Sequence, residues 1–203
     1  KNSKLPDNYV KNIAIDKDNI VWMATDKGIA ILKDENILVL NTQNSRIPTN
    51  KINYIIVDND NIKWIATEEG FIKYEDNYIK VFNTKNSKLK DNRTYQIALD
   101  NQGFLWIYYF GGILKFKGSF SELINPENSK LPAYAEYNIA VDNQNVKWIA
   151  TNMGLIRLIN NEFKIYTPQN SKIPDYFINK VVIDKLNNKW IATQNGLVKY
   201  SGK

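Results

Sequence analysis

The stretch IAVDNQNVKWIATNMGL, Ile139 to Leu155, decides the fold. Two short apolar runs, Ile139-Ala140-Val141 and Trp148-Ile149-Ala150, flank a polar break that opens on Asp142. A second break runs from Thr151 to Gly154. The runs are too short for a helix, and Asn, Asp and Gly separate them, so each reads as a strand and each break as a turn. The apolar residues do not alternate with polar ones. That is the pattern of strands buried on both faces.

Outward from this stretch, the same frame recurs along the whole chain. Tryptophans stand at Trp22, Trp64, Trp106, Trp148 and Trp190, a step of 42 residues each time. The step also carries Asp16, Asp58, Asp100, Asp142 and Asp184, then Gly28, Gly70, Gly112, Gly154 and Gly196. An Asn-Ser pair opens at Asn2, Asn44, Asn86, Asn128 and Asn170. A fixed period of about 40 to 45 residues with four short strands is the unit of a β-propeller blade. The sequence therefore predicts an all-β propeller of five blades, each of about 42 residues, in one domain over residues 1–203. The repeats run approximately 2–43, 44–85, 86–127, 128–169 and 170–203.

In the first repeat the predicted strands are A at Tyr9 to Ile15, B at Ile20 to Thr25, C at Ile29 to Lys33 and D at Asn36 to Asn41. The A–B break, Asp16 to Asn19, has an Asx residue opening a hairpin turn and an Asn where a positive φ is tolerated. The B–C break, Thr25 to Gly28, suits a type I turn followed by a glycine bulge. Strand D appears four times, the last at Glu162 to Thr167, so the fifth blade is predicted to be three-stranded. Uniform spacing without a linker leads to the expectation that the five blades close into a ring, the alternative being consecutive blades of a larger one. The chain opens within repeat sequence, KNSKLPDN, which reads as a processing boundary.

Composition removes several classes of chemistry. There is no cysteine, hence no disulfide, thiolate site or cysteine nucleophile. There is no histidine, which removes the commonest general base and the commonest transition-metal ligand. No cofactor and no catalytic residue are predicted. Asp58-Asn59-Asp60-Asn61 has the look of a calcium loop, but the third position becomes Gln102, Gln144 and Leu186 in later repeats, so a turn is predicted and no metal. The net charge of +6 invites a nucleic-acid reading. Its lysines, however, recur at matched positions such as Lys63, Lys147 and Lys189, which distributes them instead of forming one stripe, and no nucleic-acid partner is predicted. Nothing approaches a membrane span.

The unit I-A-x-D-x-x-N-x-x-W-I-A-T-x-x-G-L, taken across all five repeats, closely resembles the repeat of the two-component regulator propeller family. The resemblance implies β-propellers in extracytoplasmic sensor regions of bacterial hybrid histidine kinases, with links to carbohydrate sensing. It implies a periplasmic or cell-surface location for this chain. It is also similar to the Asp-box of sialidase-type propellers, where the motif is structural.

Three functional classes remain: a ligand-binding or sensing propeller for a carbohydrate or other small ligand, a scaffold that binds a protein partner, and a histidine-independent propeller lyase or hydrolase. The expected reading is the first, non-enzymatic one. The third repeat departs from the others. Where they read Ala-Thr-x-x-Gly, it reads Tyr108-Tyr109-Phe110-Gly111-Gly112. The turn tip held by Asp26, Glu68, Asn152 and Gln194 is Phe110 there. The D–A connections on the same rim add Arg93, Tyr95, Tyr134 and Tyr137. Aromatic faces with an arginine suit a sugar ring, a planar ligand or a protein hot spot. The alternative is local repacking, with Tyr108 and Tyr109 filling space and Phe110 folding back.

Overall fold

The turns set the strands. In the first A–B hairpin, Asp16 Oδ1 accepts the backbone N–H groups of Asp18 and Ile20, each at 3.0 Å. Asn19 closes the turn with a left-handed φ of 60°. In the B–C turn the Thr25 hydroxyl donates to the Gly28 carbonyl at 2.7 Å and accepts the Lys27 N–H at 3.1 Å. The C–D turn places two successive residues at positive φ, Asp34 at 45° and Glu35 at 65°, which is the twist-matched two-residue hairpin. The D–A connection is fastened by the Asn-Ser pair. Asn44 Oδ1 accepts the Asn41 N–H, Asn44 Nδ2 donates to the Val39 carbonyl, and the Ser45 hydroxyl donates to the Asn41 carbonyl.

The computed structural model describes residues 4–133 and 138–201. It contains five antiparallel sheets and no helix among the described residues. The first is β1 (Val10–Ile15), β2 (Val21–Thr25), β3 (Gly28–Lys33) and β4 (Asn36–Leu40); the second is β5 (Ile52–Val57), β6 (Lys63–Thr67), β7 (Gly70–Glu75) and β8 (Tyr78–Phe82). The third is β9 (Thr94–Leu99), β10 (Leu105–Tyr109), β11 (Gly112–Lys117) and β12 (Phe120–Ile124). The fourth is β13 (Asn138–Val141), β14 (Lys147–Thr151), β15 (Gly154–Ile159) and β16 (Glu162–Tyr166), and the fifth has three strands, β17 (Ile178–Ile183), β18 (Lys189–Thr193) and β19 (Gly196–Tyr200). Strands within each sheet are ordered as in the chain. These are the predicted blades, with ends moved by one residue.

The chain divides into two compact units, one ending at Ile97 and one beginning at Ala98. In the first unit, Trp22, Ile29 and Ile31 pack on Ile52, Ile55, Ile65 and Ile72 of the second sheet. The Trp22 ring meets Tyr74 edge-on at 5.1 Å. In the second unit, Trp148 and Leu155 pack on Ile178, Val181 and Ile191, and Trp148 lies 5.5 Å from Tyr200. These tryptophans are wedges between successive blades. Truncating such a side chain typically costs about 3–5 kcal/mol.

A polar clasp accompanies each wedge. The Trp22 indole N–H donates to Asp16 Oδ2 at 2.9 Å, and Lys63 of the next repeat places its ammonium 3.0 Å from the same oxygen and 5.1 Å from the Trp22 ring centre. Within the second unit, Asp100 holds the Trp106 indole and Lys147, and Asp142 holds the Trp148 indole and Lys189, all at 3.0 Å. Burial pushes the Asp142 carboxyl up. The indole N–H, the Lys189 ammonium and the Val146 N–H outweigh that and hold it below its ordinary value. Asp16 and Asp100 are lowered against the same burial, Asp16 chiefly by Trp22 and Lys63, Asp100 by Trp106, the Phe104 N–H and Lys147.

The terminal faces differ from the interior ones. Ile13 on β1 is 58% exposed, whereas Ile55, its counterpart beneath the first sheet, is 1% exposed. Leu197 on β19 is 64% exposed, whereas Leu155, covered by the fifth repeat, is 1% exposed.

Two outcomes follow from the clasps. Lys189→Met leaves the Asp142 carboxylate buried without its counter-ion and should cost about 3–5 kcal/mol in urea unfolding at neutral pH. Because the folded carboxyl lies below 3.8, its contribution is present above that pH and lost as pH falls through the folded value. The penalty of Lys189→Met should accordingly shrink below about pH 4; an undiminished penalty there would show that the charge pair is not its source. In the second outcome, a chelator should leave the melting temperature unchanged. Both oxygens of Asp58 are occupied, Oδ1 by the Asp60 and Ile62 N–H groups and Oδ2 by the Trp64 indole, so the hairpin has its ligands already.

Candidate functional site

B–C turns and D–A connections share a rim. In the first unit the Gly28 N–H donates to the Asn50 carbonyl at 2.8 Å, and the Gly70 N–H donates to the Asn92 carbonyl at 2.7 Å, so each turn tip is tied to the connection that enters the next blade. Loops held on a rigid scaffold are where binding residues concentrate.

The first unit carries a continuous polar network on this rim. The Lys11 ammonium sits 2.6 Å from Asp26 and donates to Asn53 Oδ1 at 2.8 Å. Asn53 Nδ2 donates onward to Glu68 Oε1 at 2.7 Å and to the Thr94 carbonyl at 2.8 Å. The Thr94 hydroxyl, fully buried, locks the end of β6 by accepting the Thr67 N–H at 2.9 Å and facing the Gly70 carbonyl at 2.8 Å. Arg93 is held in a fork by Asp91, with Nε to Oδ1 at 2.9 Å and an Nη to Oδ2 at 2.7 Å. That fork lowers the Asp91 carboxyl and raises the guanidinium further, and Arg93 also feels Tyr95 and Glu68 electrostatically. A bidentate pair of this kind fixes the guanidinium plane.

The sequence reading missed Lys11, Asp26, Asn53 and Glu68. The signal was present: each blade has a position on its first strand and one on its B–C tip 15 residues later, Lys11 with Asp26 and Asn53 with Glu68. In the third repeat those two positions are Tyr95 and Phe110. A polar pair in two repeats is replaced by an aromatic one.

In the second unit the rule-breaking turn is resolved. Tyr108 and Tyr109 are buried, Tyr109 almost completely, and lie beneath the surface. Phe110 is 46% exposed. The positive φ carried by Gly28, Gly70, Gly154 and Gly196 moves one residue earlier, to Gly111 at 109°. Gly112 is needed for space: a Cβ there would lie 2.6 Å from the Ile124 carbonyl oxygen and 3.3 Å from the Tyr109 hydroxyl. In the next repeat's turn, Asn152 has a buried Oδ1 with no hydrogen-bond partner among the described residues, beside exposed Met153. The predicted residues are thus divided. Arg93 and Tyr95 are half-buried on the rim of the first unit, Phe110 is partly exposed on the second, and Tyr108 and Tyr109 are buried. Tyr134 and Tyr137 lie outside the described residues. Among the described residues no cluster of acidic side chains could hold a metal ion.

Comparison with known proteins supplies the class. Residues 4–27 match the family described as two component regulator propeller. In fold the chain is similar to the extracellular domains of two hybrid two component systems from B. thetaiotaomicron. One aligns at TM-score 0.80 and 18% identity, covering 98% of this chain and 28% of that one. The other aligns at TM-score 0.80 and 22% identity, covering 94% and 27%. The chain spans little more than a quarter of their length. Virginiamycin B lyase from Staphylococcus aureus is similar at TM-score 0.75 and 14% identity, covering 98% of this chain and 72% of that one. A comparison with curated protein sequences gave no match. Residues 4–27 carry the likeness to the two component regulator propeller repeat, and the solved structures share the β-propeller fold.

The two aromatic positions of the third-repeat turn separate by measurement. Tyr109→Ala should destabilise by about 3–5 kcal/mol, the cost of emptying a large core site. Phe110→Asn should change stability by no more than about 0.5 kcal/mol in the same denaturant titration, because its ring is on the surface.

Proposed function

We propose that this chain is a non-enzymatic sensing propeller that binds a carbohydrate-type ligand on the rim of its B–C turns, outside the cytoplasm. The observation that carries the reading is the exposed Phe110 on a turn tip that is polar in every other repeat. A large aromatic held in water by a rigid turn is unfavourable unless something covers it. Sugar rings are covered in this way, with C–H faces on aromatics and hydroxyls on planar polar groups. The likeness to extracellular sensor domains supports the location and the class.

The enzyme reading has less behind it. A virginiamycin B lyase variant with one histidine replaced by alanine is described as catalytically inactive, and this chain contains no histidine. A protein partner is the second reading, favoured by the exposed aromatic on the turn tip, since aromatic side chains are enriched in binding hot spots.

A glycan array followed by calorimetric titration of any hit tests the proposal. Phe110→Asn should weaken binding by about tenfold or more with the melting temperature preserved. Affinity unchanged in this variant would remove the third-repeat turn as the site. A silent array together with capture of a specific protein that Phe110→Asn abolishes would establish the second reading.

A further inference from the structure

The third repeat also differs at the other end of its strands, where the A–B and C–D hairpins turn. Phe104 and Phe120 meet edge to face there, with ring centres 5.4 Å apart. The Lys115 ammonium lies 4.7 Å from the Phe104 centre and 5.6 Å from those of Trp106 and Phe120. Lys117 lies 5.3 Å from Phe104 and donates to the Gln102 carbonyl at 2.6 Å. The whole cluster is within the second unit, on the face of the third sheet whose Trp106 also meets Lys147 of the fourth repeat. Phe120 is 46% exposed and Lys117 is exposed beside it.

No other repeat has this combination. Lys115 and Lys117 correspond to Ile31 and Lys33, to Lys73 and Glu75, to Arg157 and Ile159, and to Lys199 and Ser201. In the second repeat the pair neutralises itself, with Lys73 2.6 Å from Glu75. In the third, Lys117 adds a second cation instead. Among the described residues the two lysines share one carboxylate, Glu122, in a loose pairing 3.8 Å from Lys115. The hairpin asparagine of the other repeats is Gly103 here, and a Cβ there would lie 3.3 Å from Lys117 Nζ. The glycine leaves room for the ammonium. Hairpin tips that are Asp18, Asp34, Asp60 and Asp76 in the first two repeats are Gln102 and Gly118 in the third, so no tip carboxylate there repels an anion.

We infer that this cluster docks an extended acidic segment of a partner protein, one with carboxylates on alternate residues. Lys115 and Lys117 stand two positions apart on one strand, so their side chains leave the same face with a repeat of about 7 Å. An extended peptide presents carboxylates at alternate positions with that same repeat, so the charges match one for one. Lys115 is half-buried against the rings, where an ion pair is stronger than in open water. An apolar residue two positions further along the segment covers the Phe120 ring, which is otherwise left in water.

Fluorescence anisotropy with the labelled peptide Ser-Glu-Ser-Glu-Ser-Leu-Ser tests the inference. It should bind saturably, and the same peptide with Gln for both Glu should bind about tenfold or more weakly. Lys117→Glu and Phe120→Ser should each weaken binding by about tenfold or more. Both positions are exposed, so the melting temperature should hold in each variant. Lys185→Glu makes the same change of charge on the A–B hairpin of the fifth repeat and should leave the affinity within about twofold. Absence of saturable binding overturns the inference. So does a loss in Lys185→Glu as large as that in Lys117→Glu, because net charge and not this cluster would then attract the peptide. Equal affinity for dextran sulfate of matched charge also overturns it, since the surface would then take any polyanion.

Discussion

The carboxylate that opens each A–B hairpin is the interaction on which the rest of the structure depends. One oxygen caps the turn by accepting two backbone N–H groups, and the other accepts the indole of the tryptophan six residues on. Turn geometry and the position of the wedge are therefore set by a single side chain. The wedge fixes where the next blade packs, and the next blade's lysine returns to the same oxygen. Local folding and blade stacking are joined at one atom. Removing the aspartate would undo both, so a structural role accounts for it.

Variation in this clasp is informative because the frame around it does not vary. Lysine is present on the second, fourth and fifth repeats and absent from the first and third, where Val21 and Leu105 stand. The third repeat also has Gly103 in place of the hairpin asparagine. The division into two compact units falls at this repeat. The same repeat carries the aromatic turn. The repeat that offers no lysine to the preceding aspartate is also the one whose rim turn differs in sequence.

The rim follows a rule of its own. Positions 15 residues apart on the first strand and the B–C tip pair as Lys11 with Asp26 and as Asn53 with Glu68. These pairs satisfy one another and stay flat and polar. Tyr95 and Phe110 occupy the equivalent positions in the third repeat, and a buried Tyr109 props the turn from beneath. The scaffold is held constant while rim chemistry changes from blade to blade, which is how one architecture serves many ligands.

Much of this was legible in the chain. Turn residues, short apolar runs and a 42-residue step act over a few residues, so Asp16, Asn19, Gly28 and Trp22 specify hairpins and strands wherever they recur. Five sheets and a three-stranded last blade followed from that. What the sequence could not express was which residues face each other across separate segments. Tyr108, Tyr109 and Phe110 are alike in type, yet two are core and one is surface, because neighbouring strands cover the first two and the turn lifts the third. Ile13 and Ile55 are identical in the repeat frame, and only the presence of a covering blade makes one buried and the other exposed. Local chemistry was set by the sequence by itself; burial was decided by tertiary structure, because burial is a property of what lies opposite.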